Sequence, residues 1–303
     1  MGTRTVTTQA ELDAALADGT DDTIVINSPR GVWLTVRAYD SATVEAYGSA
    51  TVRAYDSATV EAYGSATVRA YGSATVEAYG SATVEASGSA TVEAYGSATV
   101  EASGSATVRA YDSATVRAYD SATVRAYDSA TVRAYDSATV EAYDSATVRA
   151  YDSATVRASQ YVAVHLFSTR AQVEGGHVID IAALDLNDLT TWAAYHGADL
   201  RDGTLTAYKA VGDDWQTGRK GWVYAPGETV VAEDWDGKPE CGGGLHLCAH
   251  PHQSRGYYGS ATKYVECEID AAECVVVERS DKVKARSVRV VREVTIDGEP
   301  VTA

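Results

Sequence analysis

The chain has 303 residues, with 25 lysines and arginines against 42 aspartates and glutamates, a formal net charge of −17. That balance weighs against general nucleic-acid binding and anionic membrane surfaces, and no apolar run approaches the roughly 20 residues of a spanning helix. All four cysteines fall after residue 240, in a chain too long to need disulfide staples, so a reducing, cytoplasmic setting is expected.

Residues 1–36 read as an N-terminal cap. Met1-Gly2-Thr3-Arg4 leads into polar residues without the apolar core of a secretory leader. Thr8 and Glu11 have capping-box spacing, Leu12, Ala15 and Leu16 form a short apolar stripe, and Gly19 ends the predicted helix. Residues 23–27 read as the first strand, after which Val32, Leu34 and Val36 take up an inward register. This helix-plus-strand start resembles the cap of right-handed parallel β-helix proteins, and handedness is implied by that resemblance alone.

Residues 41–160 are fifteen uninterrupted copies of an eight-residue unit, Ser-Ala-Thr-Val-(Arg/Glu)-Ala-Tyr-(Asp/Gly), with Ser87, Ser103 and Ser159 in place of the tyrosine and Gln160 ending the last copy. Strand alternation sends Ala42, Val44 and Ala46 to one face and Thr43 and Glu45 to the other. Burying a stack of charges is prohibitive, so Ala-Val-Ala points inward. Gly48 and Asp56 suit left-handed corners. One such strand cannot bury its own face, and the units must wind into a parallel β-solenoid, placed at 37–184.

Two coil sizes are open: two units, giving sixteen residues and two faces, or three units, giving twenty-four residues and three faces. From Arg37 to Arg157 the variable charges oppose one another in eight of thirteen pairs at spacing 24, but in five of fourteen at spacing 16. The column Glu45, Arg69, Glu93, Arg117, Glu141 alternates without exception. Opposite charges are favoured on stacked strands, so the three-faced coil is preferred. It places Tyr47, Tyr71, Tyr95, Tyr119 and Tyr143 in one surface ladder that stiffens a corner or forms a binding strip. Within a unit, Arg53 and Asp56, or Arg109 and Asp112, are expected to neutralise each other.

Beyond Gln160, Val162, Val164 and Leu166 keep alternating, and Val178, Ile179 and Ile181 suggest one more decaying coil. Residues 184–194 read as a helix. Residues 185–303 form a diversified α+β domain, with strands expected at 205–211, 222–224, 263–269, 274–278 and 288–293 and a helical turn at 252–258.

Tyr208-Lys209-Ala210, Tyr224-Ala-Pro-Gly227, Cys241-Gly-Gly-Gly-Leu-His246-Leu-Cys248 and Lys282-Val-Lys-Ala-Arg286 together resemble an uncharacterised C-terminal domain of actinobacterial and phage proteins. The resemblance implies a phage or mobile-element setting, and the family brings no established activity to transfer. His246, Cys248, His250 and His252 alternate, so an extended segment puts all four on one face, with Cys241 upstream; zinc is the metal such a set takes. The bland reading is a chance cluster in a loop, and Pro251 works against a continuous strand. Cys267 and Cys274 read as small strand hydrophobes. Gly242-Gly243-Gly244 lacks the following Lys-Ser/Thr of a phosphate loop, so no organic cofactor is expected.

The strand carrying Lys209, the Gly-rich loop with His246, and Tyr257-Tyr258 before a strand with Glu266 and Glu268 resemble an ADP-ribosyltransferase-like layout. That resemblance implies His246 and Tyr257 on a nicotinamide cofactor and Glu266 at an oxocarbenium-like transition state, with Lys209 standing where arginine is expected. Three functions follow: a non-enzymatic solenoid scaffold presenting a domain that binds a protein partner, an effector enzyme, or an acidic DNA mimic of the pentapeptide-repeat kind. The interspersed arginines weaken the last.

Overall fold

The computed structural model describes residues 2–18, 23–27, 35–38, 41–217, 221–278 and 280–301. The chain divides into two compact units, Met1–Ala183 and Leu184–Ala303.

The first unit is a parallel β-solenoid of about ten coils. Each repeat contributes a short strand such as Thr75–Ala78 or Thr91–Ala94, and these two pair in register, Thr75 with Thr91 and Val76 with Val92. Partners along the array are therefore sixteen residues apart, and alternate units share a face. This corrects the preference for a three-faced, 24-residue coil. Core volume explains it. Ala90, Val92 and Ala94 are fully buried, as are their counterparts in neighbouring coils, and side chains this small fill a thin two-faced core. Three faces of Ala and Val would leave a void along the axis.

Like charges consequently stack. Glu45, Glu61, Glu77 and Glu93 lie in one column, and Arg37, Arg53 and Arg69 in the other. Two contacts offset the repulsion. Tyrosine hydroxyls donate to the glutamates, Tyr63 to Glu61 at 2.6 Å and Tyr95 to Glu93 at 2.6 Å. Where the sign changes, ion pairs form across coils, Arg69–Glu85 at 2.8 Å, Arg109–Glu93 at 2.9 Å and Arg125–Glu141 at 2.8 Å. All these groups face solvent, where like-charge repulsion is weak.

The predicted single tyrosine ladder is likewise replaced by two. Tyr47, Tyr95 and Tyr143 belong to a continuous stack that also holds Tyr63, Tyr79, Tyr111 and Tyr127, with ring centroids 4.7–5.1 Å apart. Tyr71 stacks on Tyr55 in the other column, which breaks at Ser87 and Ser103. It resumes with Tyr119, Tyr135 and Tyr151 and ends on Phe167, the chain's one phenylalanine.

The corners follow the residue types. Gly48 has φ 70° and Asp56 φ 55°, the left-handed region glycine and aspartate tolerate. The aspartates do more than turn the chain. Asp112 Oδ2 accepts the Gly96 N–H at 2.9 Å, and Asp120 Oδ2 that of Gly104 at 2.9 Å, so each corner carboxylate ties down the coil before it. The expected Arg53–Asp56 and Arg109–Asp112 pairs are not among the ion pairs of the described residues.

At the start, helix α1 (Gln9–Ala17) has the capping box: Thr8 Oγ1 accepts the Glu11 N–H, and Glu11 Oε2 accepts the Thr8 N–H. Leu12 and Ala15 are buried. Gln9 pairs its amide with both backbone groups of Thr35, at 3.0 Å each, covering part of an open strand edge. The predicted roles of Gly19, Val32, Leu34 and the Leu16 side chain lie outside the described residues. At the far end, Thr155–Leu166 pairs with both faces, and Gln172–Asp180 lies on it with an irregular register. Val162 and Val164 are fully buried, whereas Val178 and Ile179 are exposed.

The second unit opens with α2 (Leu189–His196), capped by Asp188 and ended by Gly197 at φ 70°; the predicted helix start at Leu184 is a turn. Its eight-stranded sheet, numbered within the unit, comprises β1 (Leu200–Arg201), β2 (Thr204–Val211), β3 (Thr229–Val231), β4 (Leu245–Cys248), β5 (Lys263–Asp270), β6 (Cys274–Val276), β7 (Lys282–Ala285) and β8 (Ser287–Val294). The order is β3-β8-β5-β2-β4-β7-β6, antiparallel throughout, with β1 on β2. Helix α3 (Pro251–Tyr257) follows β4. Residues 222–224, expected as a strand, form a single bridge between Val223 and Gln216. No helix among the described residues is long and apolar enough to cross a membrane.

Candidate functional site

Lys209 sits on the buried side of β2. Alternation gives it the face of Leu205, Ala207 and Val211, all buried, so an amine is placed where an apolar group is expected. Its Nζ donates to the His246 carbonyl oxygen of β4 at 2.5 Å and lies 5.6 Å from the centre of the Tyr224 ring. Among the described residues it forms no ion pair. Desolvation lowers its pKa to about 8.

Around Lys209 opens a cleft of about 520 Å³, lined by Trp222, Tyr224, His246, Tyr257, Tyr258 and Lys282 among others. That volume suits a small ligand. Lys282 enters from β7, its Nζ 4.1 Å from the Tyr257 ring centre and 3.3 Å from Cys241 Sγ. The Tyr257 hydroxyl donates to Asp281, and burial together with that bond pushes its pKa up to about 12. Gly242 and Gly244 complete the rim, and a Cβ on Gly244, at φ 115°, would meet the Trp235 ring at 2.9 Å. Among the described residues that line the cleft there is no aspartate or glutamate, and the lysines are Lys209 and Lys282; Asp281, bound to the Tyr257 hydroxyl, is outside that lining.

Residues 205–300 match a family model described as "Domain of unknown function (DUF7666)". The match falls within the second unit and contains the whole cleft. Neither the curated proteins nor the solved structures give a match to the chain.

The DUF7666 region brings some predicted site residues together and separates others. His246 and Tyr257 line the cleft. Glu266 does not. It pairs with Tyr208 across β5 and β2, on the side of the sheet opposite Lys209, and it grips Arg292 at 2.8 and 3.0 Å. Glu268 is likewise bound, to Arg289.

The histidine-cysteine set is distributed over three kinds of backbone. β4 ends at Cys248, and α3 starts at Pro251, so the alternation from 246 to 252 is broken. His250 Nε2 meets the His196 carbonyl at 2.9 Å, and His252 Nε2 meets Asp297 at 3.2 Å. Cys241 is exposed beside Lys282, while Cys248 is buried, its thiol pushed up to about 12 by burial. Among the described residues no three His, Cys, Asp or Glu side chains converge as a metal would require. Cys267 is fully buried and Cys274 partly so; burial raises both thiols to about 12.

A second buried amine was missed by sequence reasoning. Lys284 on β7 is fully buried, is ion-paired to Asp236, and has its Nζ 5.6 Å from the Trp235 ring centre. The pair lowers Asp236 to about 2; Asp236 also accepts from the backbone of Gly243, and Asp234 Oδ1 accepts the Gly244 N–H at 3.2 Å, so two aspartates hold the Gly242–Gly244 rim.

Proposed function

We propose that this chain is a non-enzymatic binding protein, in which the solenoid is a rigid scaffold and the C-terminal cleft takes an anionic group of its ligand. The observation that carries this reading is the cleft's composition among the described residues: aromatic walls and two amines with no carboxylate in the lining, in a chain of net charge −17. An anion there gains charge-assisted hydrogen bonds in a partly desolvated site. The anion belongs to a small molecule or to an acidic group of a protein partner.

The enzyme reading draws support from His246 and Tyr257 in the cleft, but the glutamate it needs lies on the other side of the sheet in an ion pair. The DNA-mimic reading draws on the four-glutamate column, but the arginine column of the same array interrupts any continuous negative field.

The test is a titration of the full-length chain, following the tryptophan emission to which Trp222 contributes. Succinate is expected to shift it saturably and uncharged succinamide is not, and Lys282→Glu should abolish the response. Equal responses to both compounds, or none to either, would overturn the proposal.

A further inference from the structure

The cleft holds two amines in different surroundings. Lys282 rests on the Tyr257 ring, with its Nζ 4.1 Å from the ring centre in a cation–π contact. Among the described residues Lys209 has no carboxylate partner; it is buried between β2 and β4 and spends one N–H on a backbone carbonyl. A neutral amine retains a lone pair and is a nucleophile toward carbonyl carbon. The neighbouring thiols, Cys248 and Cys267, are held protonated by burial and do not compete as nucleophiles.

We propose that Lys209 binds its ligand covalently and reversibly, as an imine with the carbonyl carbon of a 2-oxo acid, while Lys282 holds the acid's carboxylate. This rests on the reading of the cleft as an anion site. In the step, the Nζ lone pair adds to the carbonyl carbon and the carbonyl oxygen takes a proton. The resulting carbinolamine loses its hydroxyl, with the remaining nitrogen proton, as water, leaving a C=N bond. No electrons leave or enter the system, and water reverses the step. An aromatic cleft limits that return by restricting solvent. The layout separates function between two side chains: one amine must be uncharged to form the bond, the other charged to hold the anion.

The experiment uses the unmodified full-length chain with pyruvate as probe and sodium cyanoborohydride to reduce any imine to a stable secondary amine. Modified lysines are then located by peptide mass mapping at pH 7.4. Lys209 is expected to be labelled on the order of 100-fold faster than a lysine of ordinary pKa, from the difference in neutral fraction. Succinate, which carries the charge but no ketone, is expected to compete. Labelling spread evenly over the six lysines, or absent from Lys209, while succinate still shifts the tryptophan emission, overturns the imine and leaves the anion site standing. Absence of both labelling at Lys209 and any succinate response overturns both.

Discussion

Arg69 and Glu85 are sixteen residues apart in sequence and neighbours in the stack, with Nε 2.8 Å from Oε2. Arg69 and Glu93, which a 24-residue coil would place together, lie in different columns. A double-mutant cycle on Arg69 and Glu85 should give a coupling of about 0.2–1 kcal/mol that shrinks with salt, and none for Arg69 with Glu93. Cysteines at Thr75 and Thr91 should form a disulfide on mild oxidation, whereas cysteines at Thr75 and Thr99 should not. A Thr75–Thr99 link in monomeric protein would contradict the sixteen-residue coil.

The glutamate column depends on tyrosine protons. Tyr79 donates to Glu77, and with burial this raises the phenol from 10 to about 12; Tyr63 and Tyr95 are raised by the same cause. Spectrophotometric titration at 295 nm should therefore show phenols that remain protonated at pH 11, well above free tyrosine. Glu77→Gln should shift part of that signal back toward pH 10. An unchanged titration curve in the variant would show that the bond does not hold the proton.

Corner residues need a positive φ more than they need glycine. A Cβ on Gly88, at φ 73°, would lie 3.1 Å from the Gly72 carbonyl oxygen, yet Asp120 and Asp136 in the same column adopt φ 55° and 52°. Gly88→Asp should leave the melting temperature nearly unchanged. Gly88→Val should cost about 1–3 kcal/mol, because a β-branched residue tolerates this backbone poorly. Equal losses for the two variants would contradict the corner assignment.

Asp236 and Lys284 offer a test in the second unit. Its bond to the Lys284 ammonium holds Asp236 down at about 2, against the ordinary 3.8 of an aspartate. A depressed carboxylate pKa means the unfolded chain binds more protons between those values. The stabilisation is therefore complete above about pH 4 and is lost as pH falls toward 2. Asp236→Asn should flatten that part of the acid-unfolding profile. It should also destabilise the unit at pH 7 more than Lys284→Met does, since it leaves a buried cation unpaired whereas methionine removes the charge. The reverse order would contradict the pair's role.

Much of the solenoid is legible in eight residues. Alternation gives the inward Ala-Val-Ala face, and Gly48 and Asp56 give the corners. Coil size is not legible in the surface charges, which alternate best at 24 residues, because each exposed pair contributes little and core volume decides. Phe167, sixteen residues after Tyr151, was the overlooked signal for two stacking columns. In the second unit, β4 is short and follows three glycines, so its Leu-His-Leu-Cys pattern is weak. β7 carries Lys284 at an inward position, which disguises a buried strand as a polar one. Lys209 gave the clearer clue, as a lysine sharing a strand face with Leu205, Ala207 and Val211. The cleft itself requires the pairing of β2 with β4 and the return of α3, contacts that alternation does not encode.

We propose that ligand recognition resides in the C-terminal cleft and that the repeat array is its scaffold. Hydrogen–deuterium exchange of the full-length chain with and without succinate tests it directly. Added protection is expected around Tyr208–Ala210, Leu245–Cys248, α3 and Lys282, with the repeat strands unchanged. Protection that appears along residues 41–160 and leaves the cleft segments unaffected would contradict the account.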